Sequence, residues 1–238
     1  MHESDLTKSI SLARRVGVVW LATMVIGILA AILFGDGIDI NLSADVEAVA
    51  TAMLEAETRL RALAYAALII FSLDLMVSVG LFQLLKSAGW LLAAWSLVCR
   101  ITGGFLSVFG AVYLMNAAEI ASRPAYSVLA DNADRLLLSG LQATSDYTSF
   151  HLSIVLSSAA MAGFFWLFLR SGAIPKLIAG WGLFASLFSG ITIVLRDFIP
   201  TLGHNTVTMA FILSNLIALV STSIYLTAKG VRAVETSE

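Results

Sequence analysis

Residues 69–100 read IIFSLDLMVSVGLFQLLKSAGWLLAAWSLVCR. A long apolar run meets a second one across a very short turn at Lys86. The first run, 62–85, holds one charge, Asp74, and the second holds one, Arg100. A helix needs roughly 20 apolar residues to cross about 30 Å of hydrocarbon. Each run meets that length, and the short turn makes the two helices antiparallel neighbours. The stretch therefore reads as a membrane-spanning hairpin with an acid and a base inside it.

The rest of the chain agrees. It has 238 residues, 59% hydrophobic and 13% charged. An ordinary soluble domain is about 45–50% apolar and about 25% charged. Mean hydropathy is +0.91. The length suits a single integral membrane domain over residues 1–238. Net charge is −2, so no basic surface for nucleic acid is implied. Cys99 is the sole cysteine and lies in an apolar run, which excludes an intrachain disulfide and a cysteine-based zinc motif. Lys8, Arg14 and Arg15 precede an uncharged stretch at 16–34. That stretch exceeds the signal-peptide core of about 7–15 residues and reads as a retained first span.

Six runs qualify as spans: about 16–34, 62–85, 89–117, 147–169, 177–195 and 206–228. The fold class is all-α, a polytopic bundle of six transmembrane helices. Two further segments carry helical periodicity on the outer face. In 43–61, Val46, Val49, Met53, Leu54 and Leu60 recur on one face, with Ser43 or Asp45 as cap. In 123–140, Pro124 suits a first helical position, Tyr126, Leu129, Ala133, Leu136 and Leu137 form the apolar face, and Gly140 marks a stop. Both read as amphipathic helices, packed on the bundle rim or forming a lid over an outward pocket. Pro124, Pro175 and Pro200 all fall outside the spans, and Gly103-Gly104 is the nearest thing to a break within one. Gly182, Ser186 and Gly190, and Ser214, Ala218 and Thr222, recur every four residues, a spacing that lets helices approach closely in lipid.

Orientation follows from the cations. With both termini cytoplasmic, eight fall inside (Lys8, Arg14, Arg15, Lys86, Arg170, Lys176, Lys229, Arg232) and five outside (Arg59, Arg61, Arg123, Arg135, Arg196). Trp20, Trp90, Trp166 and Trp181 each lie within five residues of a cytoplasmic cation, as an interfacial belt requires. Tyr65, Tyr113 and Tyr147 fall at the opposite ends. The expected location is the bacterial inner membrane.

Asp74 lies 13 residues after Arg61, and Arg100 lies 10 after Trp90. At 1.5 Å per residue these are depths of about 20 Å and about 15 Å from opposite helix ends, close to the midplane. Ionisable residues inside membranes normally face the bundle interior and find a partner. Each of these two is the other's counter-ion. Asn215, Ser157 and Ser158 fall near mid-span and are candidates to complete a polar layer, with Arg61 a further candidate at the start of the second span. Two readings stay open. The pair fixes helix register, or it forms a binding or proton-handling centre.

The stretch RALAYAALIIFSLDLMVSVGLFQLLKSAGWLLAAWSLVCRITGG, residues 61–104, resembles the central block of the bacterial membrane family called domain of unknown function 4386. Arg61, Asp74, Leu84-Leu85 and Arg100 match that block in order and spacing. His151 opening a span and RSGAIP at 170–175 resemble a second block. The chain departs from the pattern at Ala67, where the family has an aspartate, and in the turn after the second span, which lacks a proline. The resemblance covers roughly residues 10 to 225. It implies a multi-span bacterial membrane protein and supplies no reaction.

No HExxH, GxSxG or GxxxxGK[ST] motif occurs, so no catalytic residue is assigned. His151 and His204 fall near the outer face, each with an aspartate close in sequence, but no two ligands share the tight spacing of a metal motif. No cofactor or metal is expected. Tyr65, Tyr113, Tyr147 and His151 are the candidates for an outer pocket. Three functions remain: a non-catalytic protein binding a lipid, an apolar small molecule or a partner subunit; a transporter or channel using Asp74 and Arg100; and an intramembrane enzyme. Expected partners are membrane lipids and another membrane subunit or a second copy, with no nucleic acid.

Overall fold

A computed structural model describes residues 3–38, 45–122, 128 and 130–232. All regular structure among them is helical. The α-helices are α1 (Glu3–Phe34), α2 (Val46–Leu54), α3 (Glu57–Leu85), α4 (Trp90–Ser122), α5 (Asn132–Ser171), α6 (Lys176–Arg196) and α7 (Asn205–Lys229), with one 3-10 turn at Pro200–Gly203. All but α2 contain a stretch long and apolar enough to cross a membrane. Their outward faces carry large apolar side chains, among them Ile32, Leu91, Phe105, Ile191 and Ile217. In water such faces would drive association. In hydrocarbon they are the solvent-matched surface.

The chain divides into two compact units: Met1–Thr23, Leu73–Gly104 and Ile154–Glu238 form one, and Met24–Ser72 and Phe105–Ser153 the other. In the first, Trp20, Phe164, Phe165 and Phe168 are almost fully buried, as are Leu81, Leu85 and Leu226. Bare Cα positions let the helices approach around these side chains. A Cβ on Gly17 would lie 2.7 Å from the Ser223 carbonyl oxygen, and one on Gly80 would collide with Val16. Gly182 faces the ring of Phe165, so the small face of α6 receives an aromatic side chain from α5. Ala218 and Thr222 on α7 are buried too. Close packing of small faces replaces the hydrophobic drive that lipid cannot supply. Gly172 ends α5 with φ +63°, and Ala173 accepts a 2.9 Å bond from the Arg232 N–H, fastening the end of α7 to the α5–α6 turn.

In the second unit α2 buries Val49, Ala50 and Met53. Asp45 caps it, accepting from the Ala48 N–H at 3.0 Å. Ser43 lies outside the described residues. Val49 and Met53 join Ile38, Leu60, Ala117, Ala118 and Ala143 in one core, and Ser139 Oγ donates to the Ala50 carbonyl at 3.1 Å. Two arginines close helix ends. Arg59 Nε donates to the Phe34 carbonyl at 3.1 Å, and Arg135 Nη2 donates to Ile120 and Ala121 carbonyls at 3.2 and 3.0 Å. Each satisfies terminal carbonyls that have no intrahelical partner.

The second amphipathic segment, residues 123–140, differs from the expectation of a separate helix. From Asn132 onward it is helical, yet it runs without interruption through Gly140 into the fourth span, 40 residues in all. Nothing between Gly140 and Tyr147 breaks a helix. Thr144, Ser145 and Thr148 bond back to carbonyls four residues earlier at 2.8–3.0 Å. A lone glycine costs a helix only about 1 kcal/mol. The expected apolar face is also turned: Ala133 and Leu137 are exposed, whereas Ser139 and Ala143 are buried. Pro124, Tyr126 and Leu129 lie outside the described residues. Gly103-Gly104 does not interrupt α4, which runs 33 residues unbroken.

Candidate functional site

The α3–α4 hairpin reverses over residues 86–89, with the Ala88 N–H donating to the Leu85 carbonyl at 3.0 Å. Antiparallel helices leaving one turn reach equal height after equal numbers of residues. Asp74 and Arg100 stand at such matched positions, and Arg100 Nη2 donates to Asp74 Oδ1 at 2.6 Å. Their side chains are 16% and 17% exposed, so the contact is mostly but not fully enclosed. Ser78 Oγ donates to the Asp74 backbone carbonyl at 2.6 Å and leaves the carboxylate alone.

The other polar candidates are not gathered around this contact. Asn215 Nδ2 donates to the Ala185 carbonyl at 3.3 Å and the Phe211 carbonyl at 2.9 Å, tying α7 to α6. Ser158 is buried opposite Gly190 on α6, and Ser157 is half-buried on α5. Arg61 belongs to a separate cluster in the second unit, with Nη2 3.1 Å from Glu57 Oε1, 3.0 Å from Glu119 Oε1 and 3.5 Å from Ser122 Oγ. Buried amides and hydroxyls find carbonyl partners on neighbouring backbones more often than they find one another.

The second unit contains a cleft of about 250 Å³. Its walls come from α1, α3, α4 and α5 and are mainly glycine, alanine and aliphatic side chains. Two polar side chains enter it, Asp146 and Ser107. Asp146 packs against the bare Cα of Gly110, where a Cβ would collide with Oδ1. The aromatic candidates lie elsewhere. Tyr65 is largely exposed, and Tyr147 packs at a tilt of 42° against His151 with ring centroids 3.8 Å apart. His151 Nδ1 is 2.8 Å from the Tyr147 carbonyl oxygen. Tyr113 is half-buried, and none of these four residues lines the cleft. His204 is exposed at the start of α7. Among the described residues no group of three His, Cys, Asp or Glu side chains is placed to hold a metal ion.

Sequence reasoning passed over Asp146 as a cleft residue. It stands just before the apolar run that begins at Tyr147 and beyond the helix stop expected at Gly140. Its position well inside α5 gives it a wall to sit in. Gly110 in the third span was the available signal, because a glycine in a span marks a place where something comes close.

Six spanning helices, an all-helical core and polar groups set inside them define a polytopic membrane protein. Residues 16–230 match the model of the family described as Domain of unknown function (DUF4386), and the chain belongs to that family. No curated protein and no solved structure matches it.

Proposed function

We propose that this chain is a multi-pass protein of the bacterial cytoplasmic membrane, with both termini cytoplasmic, that binds a lipid or other apolar small molecule and performs no chemistry on it. The cleft is the observation that carries this reading. It is concave, apolar over most of its wall and marked by a few polar groups, which is the usual make-up of a small-molecule site. The eight-to-five division of cations and the tryptophan positions support the orientation. Native mass spectrometry of protein released from membranes tests the binding. A bound lipid or small molecule retained by the natural chain and lost on Ala66→Phe, which fills the cleft wall, is the expected result. Equal content in both proteins would remove the cleft from the account. The same spectra report whether a second copy or another subunit travels with the chain.

A transporter or channel is the second reading, favoured by the hydrogen-bonding capacity left at the charged contact. Arg100 has five N–H donors. Among the described residues it engages Asp74 through Nη2, at one of the two carboxylate oxygens. A proton or small ion passing the bilayer centre would find both an acceptor and donors there. Flux into liposomes that is abolished by Asp74→Asn in a folded protein would select this reading, and undiminished flux would reject it.

A further inference from the structure

The fold treats the cations of its two units differently. In the second unit each described arginine is engaged within the chain. Arg59 donates to the Phe34 carbonyl, Arg61 pairs with Glu57 and Glu119, and Arg135 donates to the Ile120 and Ala121 carbonyls. At one end of the first unit the opposite holds. Arg170, Lys176 and Lys229 are exposed, and none makes a hydrogen bond or ion pair to any described residue. Arg232 is exposed as well, and its Nε donates to Tyr225 Oη at 3.1 Å. Its two terminal nitrogens bond to no described residue.

One backbone hydrogen bond brings these four together. The Arg232 N–H donates to the Ala173 carbonyl at 2.9 Å. Arg170 and Lys176 lie three residues to either side of Ala173, and Lys229 lies three before Arg232. The junction of α5, α6 and α7 thus gathers four positive charges. α1 adjoins it: a Cβ on Gly230 would lie 3.2 Å from the Ile10 carbonyl oxygen, and Lys8, two residues before Ile10, is exposed. No aspartate or glutamate occurs in 167–180 or 222–232. Like charges held this close repel one another unless an anion comes from outside the chain.

The neighbouring side chains place this anion at a membrane surface. Leu177, directly after Lys176, is 83% exposed, and Trp166 is exposed one turn before Arg170. A bare leucine suits acyl chains, and tryptophan suits the headgroup layer. Only residues 172–175 separate α5 from α6, so Arg170 and Lys176 stand at the helix ends rather than on a projecting loop. A soluble partner would have to reach past the headgroups to meet them. A zwitterionic lipid brings its own cation beside each phosphate, whereas an anionic one brings net charge. Basic pockets between spans are suited to anionic headgroups.

We infer that the junction of α5, α6 and α7 binds the phosphate of an anionic phospholipid, with Arg170, Lys176, Lys229 and Arg232 supplying the charge. The site is independent of the cleft in the second unit, and either can fail with the other standing.

The test is tryptophan quenching in the full chain carrying Trp90→Phe and Trp95→Phe. Trp166 and Trp181 then report on lipid, because Trp20 is buried. The protein is placed in phosphatidylcholine vesicles containing a minor fraction of dibrominated phosphatidylglycerol or, in parallel, dibrominated phosphatidylcholine. A single lysine or arginine near an anionic lipid supplies a preference of about fivefold. The relative binding constant for phosphatidylglycerol is therefore expected to be at least about fivefold above that for phosphatidylcholine, and to fall at high salt. Arg170→Gln, Lys176→Gln and Lys229→Gln together should bring it below about twofold. All three side chains are exposed, and Arg232 is kept because its backbone holds the turn. Should the triple variant fail to assemble, Lys176→Gln alone should lower the ratio a few-fold. A ratio near one on the natural residues overturns the inference, including the case where the same end captures polyglutamate, as a site for an acidic protein would. A high ratio that survives the variants overturns the assignment to these residues.

Discussion

Gly110 and Asp146 fit together as a bare Cα and a carboxylate, so closely that a methyl group at 110 would overlap Oδ1. Gly110→Ala must therefore push the carboxylate or the helix aside. Overpacking of this kind costs about 1–3 kcal/mol. The melting temperature in detergent should fall, and Asp146→Ala in the same chain should restore much of the loss. A Gly110→Ala protein that melts like the natural one would show that the two helices give way freely at this point.

Asp74 and Arg100 call for a double-substitution cycle. Breaking a buried pair from one side leaves an uncompensated charge, at about 3–5 kcal/mol in well-enclosed cases. With side chains 16–17% exposed, the low end of that range applies. Asp74→Asn and Arg100→Gln should each lower thermal stability or yield, and the double variant should recover most of it. Additive losses in the double variant would mean that each side chain depends on something other than its partner.

Gly140 separates two descriptions of the N-terminal part of α5. A Cβ there would meet Ala50 and Val46 at 3.7 Å, which is ordinary contact. Inside a continuous helix, Gly140→Ala should be neutral or stabilise by up to about 1 kcal/mol. Were the helix to end at this residue in a left-handed turn, the same change would destabilise. Thermal unfolding of the single variant gives the sign.

Orientation can be read by thiol labelling on a Cys99→Ser background. Glu55 and Val128 are exposed, as is Ser87 in the α3–α4 turn. Cysteine at 55 or 128 should react with an impermeant reagent in intact cells, and cysteine at 87 only after the membrane is opened. The reverse pattern would turn the protein over.

The six spans were legible because the bilayer asks one simple thing of a sequence, some twenty predominantly apolar residues in a row. The constant rise of a helix is likewise enough to set Asp74 and Arg100 at one height on α3 and α4, though not to say what they do there. Asn215 illustrates the limit. Its depth could be counted, but not its direction, and its amide turned to the Ala185 carbonyl. The length of α5 was hidden because residues 132–146 are polar enough to read as a surface segment, and helix continuity depends on the absence of a breaker rather than on hydropathy. The cleft was hidden for a related reason. It consists of side chains that are missing, and alanine and glycine in a span look the same whether they face a neighbour or a void.

The close helix approaches have a consequence for how this sequence can drift. Gly80 exists to receive Val16, Gly17 to receive the Ser223–Thr227 turn, and Gly163 to receive Ser96. In each case the space and its occupant sit on different helices, often more than fifty residues apart. Neither half can change alone: a larger residue at 80 demands a smaller one at 16, and a smaller one at 16 leaves a hole at 80. Such positions should mutate in tandem among relatives, and that paired variation would trace the helix contacts of the whole family.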